Sequence, residues 1–164
     1  MKILIIGGAG MVGQKLAQQL AKDGRLGTSE ISDLALFDVV APAPPAGAKF
    51  KVTTATGDLP AKGETDKLVA NKPDIIFHLA AIVSGEAEQE FDKGYRINLE
   101  GTYNLLESVR HAYVKGAKKP RVVFTSSIAV FGAPFPEKIP DEFHHTPLTS
   151  YGTQKAIGEL LLAD

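Results

Sequence analysis

Tyr151 and Lys155 stand four residues apart in "SYGTQKAIGE", where the sequence begins to read as a helix. Four residues turn a helix by about 400° and raise it by about 6 Å, so the two side chains share one face. Phenols and alkylammonium groups both titrate at roughly pH 10 when free. An ammonium beside a phenol favours the phenolate, which lets the tyrosine take or return a proton nearer neutral pH. Alone, such a pair is equally an exposed helix face. Upstream, "FTSSIAVFG" places Ser126 and Ser127 directly after an apolar run. A hydroxyl there can hold the oxygen of a carbon that gains or loses hydride, or it can satisfy loop backbone groups.

A different chemistry is written at the N-terminus. "GGAGMVG" follows the apolar run KILII; Gly7, Gly10 and Gly13 fit Gly-x-x-Gly-x-x-Gly, and Gly8, Gly10 and Gly13 fit Gly-x-Gly-x-x-Gly. The bare backbone at Gly10 admits a pyrophosphate, and that at Gly13 lets a helix pack against the strand. The helix N-terminus adds free N–H groups and the positive end of its dipole. Asp38 closes the next apolar run, LALF. A carboxylate there accepts hydrogen bonds from both adenosine ribose hydroxyls and repels a 2′-phosphate. No lysine or arginine lies between Asp38 and Lys49, which favours NAD over NADP. The other reading of Asp38 is a turn or capping aspartate. Asp58, in "TGDL", either meets the adenine edge or is a turn residue.

These residues need a frame. Short apolar runs at 2–6, 34–37, 50–54, 74–78 and 121–125 read as strands. Helical patterns at 11–22, 63–71, 88–113 and from Ser150 alternate with them. The 88–113 helix is expected to carry Phe91, Tyr95, Leu99, Tyr103, Leu106 and Val109 on one face. "VVAPAPPAGA" is a proline-rich loop, and residues 132–148 are irregular. The alternation implies an α/β fold of the Rossmann type, a doubly wound parallel sheet with helices on both faces. Ligands of such sheets lie at the carboxyl ends of the strands, where every motif above falls.

Composition narrows the classes further. The 164 residues are 44% hydrophobic, carry a net charge of −1 and contain no cysteine. No nucleic-acid or membrane partner is expected, thiolate chemistry is excluded, and a cytoplasmic protein is the default. His144 and His145 lack a third ligand at a fitting spacing, so a solvent-exposed pair and no metal are expected. His78 ends a strand and reads as structural, and Asn98 reads as a surface or backbone-bonded asparagine.

Taken in order from residue 1 to 164, GGAGMVG, Asp38, GDL, HLAA, INLEGTYNLLES, VVFTSSIAVFG and SYGTQKAIGE resemble the extended short-chain dehydrogenase/reductase superfamily. That superfamily, the NAD-dependent epimerase/dehydratase family, includes sugar epimerases and dehydratases. HLAAIVSGEAE and SSIAVFG are most similar to its D-erythronate dehydrogenase branch, which oxidises a four-carbon sugar acid.

The resemblance implies the following roles. Gly7, Gly10 and Gly13, with Met11 and Val12 between them, cradle the pyrophosphate of NAD, and Asp38 holds its adenosine ribose. Asp58 and Leu59 flank the adenine, Leu79, Ala80 and Ala81 line the dinucleotide path, and Asn98 supports the site. Tyr151 is the general acid/base, and Lys155 favours its phenolate and binds the nicotinamide ribose. Ser127 orients the substrate hydroxyl with Ser126 beside it, and Ser84 contacts substrate. The expected activity is NAD-dependent oxidation of a small sugar acid. The alternatives are a nucleotide-sugar 4-epimerase with bound NAD and a non-catalytic NAD(P)-sensing module. Ile128 and Ala129 stand where a dehydratase needs an acid/base pair, and Phe131 where many epimerases have tyrosine. Residues 1–164 are expected to be the NAD-binding domain with the catalytic pair, the substrate-binding part lying beyond them. "AIGELLLAD" has no stop, so its helix is expected to continue. Relatives of this type often form homodimers through a four-helix bundle, here the 88–113 helix and the one from Ser150.

Overall fold

KILII forms strand β1 (Lys2–Ile6), its last four residues buried, in the computed structural model, which describes residues 1–164. The chain divides into two units, Met1–Ala80 with Asn104–Phe124, and Ala81–Tyr103 with Thr125–Asp164.

The first unit is built on β1. β4 (Asp33–Asp38) pairs with it on one side and β6 (Ile75–His78) on the other. β5 (Lys51–Thr56) and β7 (Arg121–Phe124) complete an all-parallel sheet of order β5-β4-β1-β6-β7. The side-chain period of two sends alternate β1 residues to opposite faces. Leu4 and Ile6 pack with Phe37 and Ile76 against Val69 of α2 (Glu64–Ala70) and Leu105 and Val109 of α5 (Gly101–Val114). Ile3 and Ile5 pack with Leu34 and Leu36 against Ala17 and Leu20 of α1 (Met11–Asp23). Burial on both faces is why β1 is apolar throughout rather than alternating. Each of these side chains larger than alanine contributes about 1.5–3 kcal/mol. The strand order reverses at β1, with β4 and β5 on one side and β6 and β7 on the other. In such sheets ligands bind at the carboxyl ends of the strands by this switch point. This is the doubly wound architecture the sequence implies. A small antiparallel pair, β2 (Arg25–Leu26) with β3 (Ser29–Glu30), interrupts the link from α1 to β4, where the sequence offered no strand signal.

In the second unit the expected single helix over 88–113 is broken. α3 (Ser84–Gln89) ends at Glu90, whose φ of −118° and ψ of 71° are not helical. α4 (Phe91–Gly94), a π-helical stretch (Tyr95–Glu100) and then α5 follow. The π stretch adds a residue to the turn and rotates every later side chain about the axis. The predicted stripe is therefore wrong beyond that stretch, where Tyr103 is 49% exposed and Leu105 fully buried; Phe91, ahead of it in the short α4, is 57% exposed. A 3-10 turn (Ile128–Val130) and α6 (Ser150–Ala163) complete this unit. No helix of the chain is long and apolar enough to cross a membrane.

Candidate active site

In the first unit the glycine loop joins β1 to α1 at the reversal point. Gly7 adopts φ 93°, and a Cβ there would lie 2.6 Å from the Ala80 nitrogen, so both conformation and space demand glycine. A Cβ on Gly13 would lie 2.1 Å from the Gly7 oxygen, which is how the helix approaches the loop. Over Gly10 the space is open: its added Cβ meets nothing nearer than the Gly7 oxygen at 3.4 Å. Met11 and Val12 follow, 73% and 53% exposed, in an α1 first turn that has no side-chain cap. The first N–H groups of such a turn have no partner within the helix, an arrangement that suits an anion.

Asp38 is tied into the same loop. Its Oδ2 accepts the Ala9 N–H at 2.9 Å and its Oδ1 the Val39 N–H at 2.7 Å. Each oxygen keeps a further acceptor site, so the carboxylate is oriented without being used up. Both bonds are to loop backbone, as the turn reading of Asp38 has it. The Leu59 side chain lies in the core at 5% exposure. Leu79 and Ala80 are half-buried, their backbone lying under Gly7. His78 is buried with its ring 5.6 Å from that of Phe124, as a structural histidine.

The second unit gathers Tyr151, Lys155, Ser126 and Ser127. Thr149 caps α6, its Oγ1 accepting the Gly152 N–H at 3.0 Å. Gly152 permits close packing, since a Cβ there would lie 2.1 Å from the Ala129 oxygen. Lys155, one helical turn beyond Tyr151, is 2% exposed and its Nζ donates to the Thr125 carbonyl at 2.9 Å. The same Nζ lies 5.9 Å from the centroid of the Tyr151 ring. Burial pulls the Lys155 ammonium down from 10.5 to about 8, so it stays protonated at neutral pH. The pair is not an exposed helix face. Ser127 caps the 3-10 turn, its Oγ accepting the Ala129 N–H at 3.2 Å, while the Ser126 hydroxyl donates to Glu159. Ser84 is exposed at the start of α3, and Ala81 is half-buried ahead of it.

Asn98 is not at the surface. At 2% exposure its Oδ1 accepts the Ile82 N–H at 2.9 Å. Its Nδ2 donates to the Ile82 carbonyl at 3.2 Å and to Gln154 Oε1 at 2.8 Å. The π-helical stretch aims it inward. Sequence reasoning passed over Gln154, which is fully buried between Tyr151 and Lys155, and Glu88, whose Oε1 accepts from Ser150 Oγ and the Tyr151 N–H, both at 2.8 Å. Neither has a local signal, because each partner lies more than fifty residues away. His144 and His145 are both exposed, as the sequence implies, with His145 Nε2 3.1 Å from Glu159 Oε2 and its ring 5.8 Å from that of Phe131.

Comparison with known proteins meets this geometry. Residues 3–164 match the model of the NAD dependent epimerase/dehydratase family. D-erythronate dehydrogenase from Cupriavidus necator is 44% identical over 168 residues, covering 100% of this chain and 50% of that protein. The D-erythronate dehydrogenase of Haemophilus influenzae is 43% identical over 164 residues, with the same coverage of 100% and 50%. The chain therefore spans half the length of these curated relatives. A solved structure described as the nucleoside-diphosphate-sugar epimerase from Agrobacterium tumefaciens is similar at 64% identity and TM-score 0.97, over 100% of this chain and 48% of that one. UDP-glucose 4-epimerase from Brucella ovis in complex with NAD is similar at 27% identity and TM-score 0.79, over 99% of this chain and 47% of that one. With its glycine loop, its parallel sheet and a family match over nearly its whole length, the chain belongs to the NAD-dependent epimerase/dehydratase family.

Proposed function

We propose that residues 1–164 are the dinucleotide-binding and proton-handling part of an NAD-dependent dehydrogenase that oxidises a hydroxyl of a small, D-erythronate-like sugar acid. The observation that carries this reading is Lys155, an ammonium buried beneath the Tyr151 ring at an energetic cost that packing alone does not explain. The relatives named D-erythronate dehydrogenase support the substrate class.

The residues fit NAD. Open space over Gly10 and the uncapped first turn of α1 suit a pyrophosphate, with Gly7, Met11, Val12 and Gly13 shaping the loop. The oriented Asp38 carboxylate suits a ribose diol, and it would desolvate and repel a 2′-phosphate. Asp58, the Leu59 backbone, Leu79, Ala80 and Ala81 extend the same role. Bound NAD supplies the hydride acceptor. Ser127 holds the substrate hydroxyl, and the Tyr151 phenolate takes its proton as the carbon is oxidised. Lys155, fixed by Thr125, stabilises the phenolate and binds ribose. Asn98 steadies the Ile82 backbone ahead of Ser84, a substrate contact.

The description of the Agrobacterium tumefaciens structure favours one rival, a nucleotide-sugar epimerase. An epimerase would use the same proton transfer and return the hydride to the other face of the intermediate. The deciding experiment offers the complete protein NAD with D-erythronate, or UDP-glucose, and follows reduced nicotinamide and sugar configuration separately. Reduction of NAD with the sugar acid, lost by about 10²–10⁴-fold in Tyr151→Phe, is the expected result. Turnover of the nucleotide sugar without any signal from a sugar acid overturns it, as does NAD binding with no turnover of either. Other expectations follow from the same reading: a homodimer for the complete protein and a cytoplasmic location.

A further inference from the structure

Residues 82–89 are fastened to the helix that carries Tyr151 and Lys155 at two points. One is the Asn98 amide, which bonds both backbone groups of Ile82 and reaches Gln154. The other is Glu88, an exposed residue of α3 whose Oε1 accepts from Ser150 Oγ and from the Tyr151 N–H at 2.8 Å each. Its neighbours behave differently. Glu86 and Glu90 both pair with Lys93, at 2.6 and 3.2 Å, so of these three carboxylates only Glu88 turns to α6.

A negative charge is favoured at a helix N-terminus, where the first N–H groups have no partner within the helix. Thr149 already serves α6 locally by accepting from Gly152. Glu88 adds a second cap from a different helix, and it lands on the backbone of the residue that moves the proton. We propose that Glu88 is a positioning residue: its carboxylate sets the Tyr151 end of α6 against α3, so that Ser84 and Tyr151 are held in one register. The inference rests on the reading of Tyr151 as acid/base. The Tyr151 N–H, and after it the Ser150 hydroxyl, hold the Glu88 carboxyl below the usual carboxylate range. The cap therefore remains an anion at neutral and mildly acidic pH. The physical consequence is orientational, because a small displacement of a reacting group lowers the rate of chemistry far more than it weakens binding.

The test compares Glu88→Ala and Glu88→Gln in the complete protein, with Tyr151→Phe as reference, using NAD and D-erythronate. Glutamine keeps a carbonyl oxygen to accept the Tyr151 N–H, whereas alanine keeps nothing. In Glu88→Ala, kcat is expected to fall about tenfold, while KM and NAD affinity stay within about twofold. Glu88→Gln is expected to recover most of kcat. Hydrogen exchange at the Tyr151 amide reads the clasp without turnover, and it should quicken about tenfold in the alanine variant alone. Unchanged exchange and kcat in Glu88→Ala, with Tyr151→Phe inactive, overturns the role of Glu88 and leaves Tyr151 standing. Equal impairment of both Glu88 variants, or a parallel change in kcat, KM and thermal midpoint, also overturns it. Full activity in Tyr151→Phe removes the acid/base reading and this inference together.

Discussion

Replacing Lys155 with methionine is expected to stabilise the chain while abolishing turnover. Lys155 is 2% exposed, and burial draws its ammonium from 10.5 to about 8. That displacement corresponds to about 3 kcal/mol against the charged form at neutral pH. Methionine fills a similar volume without a charge. It gives up the Nζ bond to the Thr125 carbonyl, which contributes about 1 kcal/mol. The net expectation is a gain of about 2 kcal/mol at neutral pH. The sign follows from counting protons. Below about 8, folded and unfolded chains both hold the lysine proton, and the whole cost of burying the charge stands. Between about 8 and 10.5 the unfolded chain keeps a proton that the folded chain has shed, so native stability rises with pH. The advantage of Lys155→Met should therefore shrink by about 2 kcal/mol between about pH 7 and about pH 9.5. Urea denaturation of both chains at the two pH values, with matching m-values, measures this. A gap that does not change with pH, or a methionine variant less stable at neutral pH, would refute the argument.

Three further outcomes are expected. Asp38→Ala removes the acceptor that orients the loop through Ala9, and NAD affinity by calorimetry should fall about 10–100-fold, with Asp38→Asn in between. Affinity for NADP should fall less in the same variants. Gly13→Ala forces a Cβ to within 2.1 Å of the Gly7 oxygen; it should lower stability by about 1–3 kcal/mol, seen as a depressed thermal midpoint. Asn98→Ala strands the Ile82 N–H and carbonyl and the Gln154 amide. It should lose about 2–3 kcal/mol in chemical denaturation, where a surface asparagine would change stability by about 0.5 kcal/mol or less.

The first unit could be read from the sequence because its signals are local. Five consecutive residues, KILII, specify a strand buried on both faces, and the glycines that follow specify the turn and the helix start. Asp38 could be placed because it ends a strand whose apolar run says where it stops. The second unit was legible only in part. Phe91, Tyr95, Leu99 and Tyr103 keep a regular helical spacing, yet the chain breaks at Glu90 and widens into a π-helical stretch. A Cβ on Gly94 would lie 2.8 Å from Gln154 Nε2 and 3.2 Å from Ala87 Cβ, so the packing there is close. Periodicity within one segment carries no information about such a neighbour.

The sequence by itself determined the strand order's raw material, the phosphate-type loop, and the Tyr151/Lys155 spacing, since each depends on residues within a few positions of one another. Tertiary structure decided the environments: that Lys155 is buried and Asn98 inward, that Ser126 turns to Glu159, and that His145 does the same. It also decided that Glu88 reaches the Tyr151 backbone across an interval of 63 residues. The physical reason is that burial and hydrogen-bond partners are properties of two surfaces brought together. Only the folded chain brings them together, and with them come the protonation state of Lys155 and the orientation of Tyr151.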